Sequence, residues 1–169
     1  MSVSKTLNDT KYKLYDKWNL YYHLPDNKNW DLSSYTIILN KLNTVEEVVS
    51  LNSKFGGHII TNTMLFLMRD GITPRWEDKR NRCGGCFSFK VSNKNAEQVW
   101  KNLFYLTCGE SLLKTKNECV NGITISPKKH FCIVKIWLEN TEIQDPNMIV
   151  PIENIMKQGC LFKKHEPEF

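Results

Sequence analysis

No stretch of this sequence approaches the roughly 18 or more apolar residues of a membrane-crossing helix, and the polar start, Met1 to Thr10, holds no apolar run for a signal peptide. A chain lacking both is expected in the cytoplasm, away from membranes, with its six cysteines reduced. Paired carboxylates and Ser/His/Asp arrangements are also missing, and His23, His58, His130 and His165 are too dispersed to nominate a metal site. No catalytic residue, metal or cofactor is therefore expected, and the protein is read as a binder rather than an enzyme. Internal repeats and low-complexity linkers are lacking too. With 169 residues and 41% hydrophobic content, the chain suits one well-cored domain. The expected organisation is a disordered tail over residues 1–11 and a single monomeric domain over 12–169.

Acidic charge is in shorter supply than basic: 18 Asp and Glu against 23 Lys and Arg give a net charge of +5. That mild excess fits a partner carrying a few phosphates better than a long duplex. A second cysteine pair is missing as well. Cys83-Gly84-Gly85-Cys86 has the C-x-x-C spacing of redox dithiols and of half a zinc site, whereas Cys108, Cys119, Cys132 and Cys160 stand singly. A strand-like alternation follows it, where a redox motif opens a helix. A glycine turn flanked by ordinary thiols is the plainer reading, and a thiol redox or zinc module built on Cys83 and Cys86 is the alternative.

What the chain does contain is an unusual loop, Asp70-Gly71-Ile72-Thr73-Pro74-Arg75-Trp76-Glu77-Asp78. Gly71 and Pro74 mark it as a turn, yet it carries a Trp followed by two carboxylates. An indole face beside a strong acceptor suits a planar cationic ring whose edge presents N–H donors, such as a 7-methylated guanine. The competing reading folds the Trp onto the core and leaves the carboxylates solvated.

Around this loop the chain alternates between strand and helix patterns. Lys17 to Leu24 has period two, Tyr35 to Leu42 is β-branched and apolar, and Met64 to Met68 is an apolar strand. Alternation returns over Phe87, Phe89 and Val91. A hairpin pairs Ile123 to Ile125 with Phe131 to Leu138, and in it Trp137 and Lys135 lie on the face less obviously buried. A short strand over Cys160 to Lys163 closes the series. Thr44-Val45-Glu46-Glu47 opens a helix with a capping box that Gly56-Gly57 ends. Residues 58–63 read as a loop, Asn93 to Cys108 as the longest helix, and Pro146 to about Lys157 as a third. The predicted architecture is α+β: an antiparallel sheet with three helices on one face and the other face free.

Trp30, Trp76 and Trp137, with K-W at 17, N-W at 29, T-V-E-E at 44, D-G-I-x-P-x-W-E-D at 70, N-R-x-G-G at 81, W at 100, G-E-S at 109 and I-W at 136, resemble the eukaryotic translation initiation factor 4E family of mRNA cap-binding proteins. The matching runs keep the family's order from about Lys11 to Trp137. The resemblance implies a curved sheet with helices on its convex face and the capped mRNA's 7-methylguanosine on its concave face. It implies that Trp30 and Trp76 sandwich the base, that Glu77 accepts from guanine N1–H and its amino group, and that Trp137 contacts the N-methyl. It places Lys128 where the family has an arginine for the phosphates. The family's later lysine falls on Ile133, leaving Lys129, His130 or Lys135 to substitute, and Arg82 matches a basic position beside the glycines. Family members also bind a scaffold, initiation factor 4G, or repressors with a similar motif, through their helices. Here that surface maps to Val45, Val49, Trp100, Lys101 and Tyr105, with Val49 where the family carries an exposed Trp. The implied role is recruitment of mRNA for translation initiation; a cap-binding repressor with altered scaffold binding is the alternative within the family.

Overall fold

The computed structural model describes residues 11–167, so the tail expected over residues 1–11 lies outside the described residues apart from Lys11. Seven strands, β1 (Lys13–His23), β2 (Thr36–Thr44), β3 (Met64–Arg69), β4 (Gly85–Ser92), β5 (Val120–Pro127), β6 (Phe131–Leu138) and β7 (Leu161–Lys164), form one curved sheet in the order β2-β1-β3-β5-β6-β4-β7. Every pairing in it is antiparallel. Three helices accompany it: α1 (Val45–Asn52), α2 (Gly57–Asn62) and α3 (Asn93–Cys108).

Period-two patterning separates two apolar layers. On the helical face, Val48 of α1, Ile60 of α2 and Trp100, Leu103 and Phe104 of α3 pack on Trp18, Leu20, Leu67, Phe87, Phe89, Val134 and Ile136. On the opposite face a smaller cluster joins Tyr21, Phe66, Met68, Ile72, Cys86 and Trp137, with Tyr35, Met64 and Trp76 packed against it. Cross-strand register aligns Phe66, Thr124, Lys135 and Ser88 in one row of that face, and Met68, Gly122, Trp137 and Cys86 in the next.

Among the described residues the helices are three, as expected, but not the same three. The capping box is present: Glu47 N–H donates to Thr44 Oγ1 at 3.3 Å and Thr44 N–H donates to Glu47 Oε2 at 3.1 Å. That helix stops at Asn52, and the residues read as a loop form α2, seated by the fully buried Ile60. The helix predicted from Pro146 to Lys157 is a single 3-10 turn, Pro146–Met148, followed by irregular chain. Pro151 explains this, because its ring blocks the helix interior and removes a donor.

Candidate functional site

The segment between β3 and β4 is built from its own polar side chains. Gly71 takes φ +80°, turning the chain off β3. Asp78 is no solvated carboxylate: its Oδ2 accepts from both the N–H and the hydroxyl of Thr73 at 2.8 Å. The buried Asn81 donates to the carbonyls of Thr73 at 3.0 Å and Arg75 at 2.8 Å, and its own Oδ1 receives the Asn121 amide at 2.9 Å. This network holds the backbone on either side of Trp76, so the indole and Glu77 project from a rigid turn.

Trp76, Glu77, Trp30, Trp137 and Lys135 come together around one cleft of about 400 Å³ on the concave face. Tyr35, Arg75, Phe66, Met64 and Glu166 complete much of its wall. Trp137 sits deeper than expected, only 4% exposed, with its indole N–H 3.4 Å from Thr124 Oγ1. Trp30, by contrast, is 50% exposed. The charges in the lining balance, with Arg75 and Lys135 against Glu77 and Glu166. Arg75 Nε stands 3.6 Å from Glu77 Oε2, an ion pair too long for a hydrogen bond. Burial pushes the Tyr35 hydroxyl up to about 12, with Glu77 reinforcing and Arg75 opposing, so that phenol stays neutral.

Each of the outer tryptophans has a histidine against it. His23 stacks on Trp30 with ring centroids 4.4 Å apart and planes 6° from parallel. His165, just beyond β7, stacks on Trp76 at 5.5 Å and 17° and leans on Trp137 at 5.0 Å. Its Nδ1 lies 2.6 Å from the Asn81 carbonyl, and its backbone N–H donates to Gly84 at 3.0 Å. Lys163 Nζ lies 5.4 Å from the centre of the Trp76 ring. None of His23, Tyr35, Arg75, His165, Lys163 or Glu166 was nominated from the sequence, since nothing in the local sequence marks them for the cleft. Of the expected phosphate-binding cations, only Lys135 lines the cleft. Lys128, Lys129 and His130 are exposed on the β5–β6 turn, and Arg82 donates to the Glu77 carbonyl at 2.8 Å.

The Eukaryotic initiation factor 4E family model matches residues 13–167. The chain belongs to this family. Eukaryotic translation initiation factor 4E of Eremothecium gossypii is 29% identical over 139 residues, 78% of this chain and 64% of that protein. A homolog from Acanthamoeba polyphaga mimivirus is 33% identical over 94 residues, 54% of this chain and 34% of that protein. The match thus spans less than two thirds of either relative's length. A solved structure of C. elegans eIF4E-3, in complex with the 4E-binding protein Mextli and a cap analog, has a TM-score of 0.76 at 21% identity, covering 92% of this chain and 94% of that one. At that identity the likeness is one of fold.

Of the surface expected to engage partners of an initiation factor 4E family member, Val45, Val49 and Tyr105 are exposed, and Lys101 is paired with Glu97 at 2.6 Å. Trp100 departs from expectation. It is fully buried, edge-on to Phe55 and Phe104, and so belongs to the core under α3 rather than to a docking surface. Val45 also borders a second hollow of about 510 Å³, shared with Leu14, Tyr15, Lys116 and Glu110 and holding no tryptophan. The thiol alternative gains nothing from the geometry. Cys83 is exposed while Cys86 is buried in the concave-face cluster, where burial pushes its thiol up. Among the described residues no three His, Cys, Asp or Glu side chains are grouped to hold a metal ion, and no helix is long and apolar enough to cross a membrane.

Proposed function

We propose that the protein binds the 7-methylguanosine cap of mRNA in the concave cleft, in the cytoplasm, and recruits capped messages for translation initiation by binding alone. The observation that carries this reading is the convergence of Trp30, Trp76 and Glu77 on one cleft, with Trp137 beneath. Two indoles flanking a flat cationic base contribute about 1–3 kcal/mol per stacked face, and the ring's positive charge adds roughly 1–2 kcal/mol once desolvated. Glu77 accepts the two donors on the guanine edge. Lys135, and beyond the cleft Lys128, Lys129 and Arg82, supply positive charge for the phosphates, as point charges where lysine replaces arginine's fork, with His130 beside them as a further hydrogen-bonding group. The cap analog in the C. elegans complex supports this reading by likeness of fold.

The test is tryptophan fluorescence titrated with 7-methylguanosine monophosphate and with GMP. Wild-type protein quenches with the methylated nucleotide at far lower concentration, and Trp76→Ala loses at least about tenfold in affinity. Equal response to both nucleotides, or wild-type affinity in Trp76→Ala, ends the proposal.

A scaffold resembling initiation factor 4G docks on the exposed side of α1 and the adjoining part of α3, using Val45, Val49 and Tyr105. Val49, 49% exposed where relatives of this kind are expected to present an aromatic anchor, favours a second reading, a cap-binding repressor with altered scaffold contacts. Pull-down of a 4G-like peptide by wild type and by Val49→Trp separates the two: capture by the variant alone supports the repressor.

A further inference from the structure

His23 ends β1 on the concave side and is fully buried. Its imidazole lies flat against Trp30, and its nitrogens face two backbone carbonyls: Nδ1 is 2.9 Å from Leu24 O and Nε2 is 2.8 Å from Asn29 O. Asn29 is the residue before Trp30. One side chain thus holds both the indole and the peptide unit that carries it. A neutral ring donates to one of these carbonyls and an imidazolium to both. The loop between is otherwise tied by short local turns: Asn27 N–H donates to the Leu24 carbonyl at 3.1 Å, and Asn29 N–H donates to Asn27 Oδ1 and Asp31 N–H to Asn29 Oδ1, both at 2.9 Å. Leu24 and Leu32 on this loop are exposed, so it has little apolar anchorage of its own. Tyr35 packs on the same imidazole at 5.0 Å.

A polar loop held this lightly opens easily unless a buried group pins it. If Trp30 had to be ordered anew each time a ligand arrived, that ordering would be subtracted from the binding free energy. We infer that His23 is the positioning residue of the cleft, fixing Trp30 in the ligand-free protein so that a flat base meets a preformed wall. The inference rests on the reading of the cleft as a base-binding site, but its first measurement needs no ligand.

Two variants divide the effect: His23→Phe keeps a flat ring and loses the hydrogen bonding to the backbone carbonyls, and His23→Ala loses everything. Acrylamide quenching of Trp30 is isolated by subtracting the same protein carrying Trp30→Phe. It rises by about twofold or more in His23→Ala and by less in His23→Phe, as a pinned loop is released. Affinity for 7-methylguanosine monophosphate falls about three- to tenfold in His23→Ala, the loss appearing in the association rate, because a smaller fraction of molecules is competent to bind. His23→Phe recovers part of that loss. Quenching and association rate at wild-type values in both variants overturn the inference; if His23→Ala does not fold, the same result in His23→Phe alone does so. Should wild-type protein bind neither nucleotide, the cap reading falls while the quenching comparison still decides the role of His23.

Discussion

Arg75 stands beside the carboxylate that the proposed base needs, and this single residue sets a limit on selectivity. Glu77 is already partly neutralised by the guanidinium 3.6 Å away, so the cleft offers a methylated guanine less negative charge than its Trp-Glu sequence suggests. A like charge roughly 4 Å from a cationic ring opposes it by about 1 kcal/mol at near-aqueous screening. Arg75→Met should therefore raise the preference for 7-methylguanosine over guanosine about fivefold. Nucleosides are the right probes, because without phosphates the change reports on the base alone; an unchanged ratio would show that Arg75 turns away on binding. At this scale the sequence is most informative where chemistry is concentrated locally. A Trp next to two carboxylates in a Gly/Pro turn announces itself, and Trp76 and Glu77 line the cleft accordingly. Arg75 lies in the same run but reads as an ordinary loop cation, and His23 and His165 acquire meaning only when strand pairing brings them to the indoles. Glu110, legible as part of G-E-S, holds the buried Arg69 through two oxygens at 2.6 and 3.0 Å, which makes the motif a structural clasp.

Elements were legible in proportion to their length and punctuation. α3 was readable to its ends because sixteen residues of helical period are closed by Gly109. α2, six residues containing adjacent isoleucines and a threonine, is too short to announce itself and is held by packing of Ile60 rather than by propensity. The Gly84-Gly85 pair was legible as a turn, yet its role is close approach. A Cβ on Gly84 would fall 1.8 Å from the Leu138 carbonyl oxygen, and one on Gly85 would meet the Phe162 ring at 2.6 Å. Both strands that flank β4 therefore depend on bare backbone here. Gly84→Ala should cost roughly 2–4 kcal/mol, read as a lower urea midpoint. A midpoint within experimental error of wild type would mean that β6 shifts freely at Leu138.

At the scale of the molecule, the sheet carries two apolar layers of unequal size, and the smaller one is where stability and the candidate site meet. His165 joins them. Burial holds its imidazole below the ordinary 6.5, helped by the charge of Lys135 and opposed by its hydrogen bond at the Asn81 carbonyl. The unfolded chain therefore takes up a proton near pH 6.5 that the folded chain resists, so the unfolded state binds more protons in that window. Stability is complete above about pH 6.5 and drains as pH falls below it toward the depressed native value, by at most about 1.4 kcal/mol per pH unit for one proton. Because the same ring lies against Trp76 and Trp137, acid should loosen β7 and this wall of the cleft together. His165→Gln keeps a polar group near Asn81 without this titration. Melting temperature followed from pH 7.5 to 5.5 should fall more steeply in wild type than in His165→Gln, with tryptophan emission shifting over the same interval. Parallel curves for the two proteins would assign the acid sensitivity to the carboxylates elsewhere and leave His165 a packing residue alone.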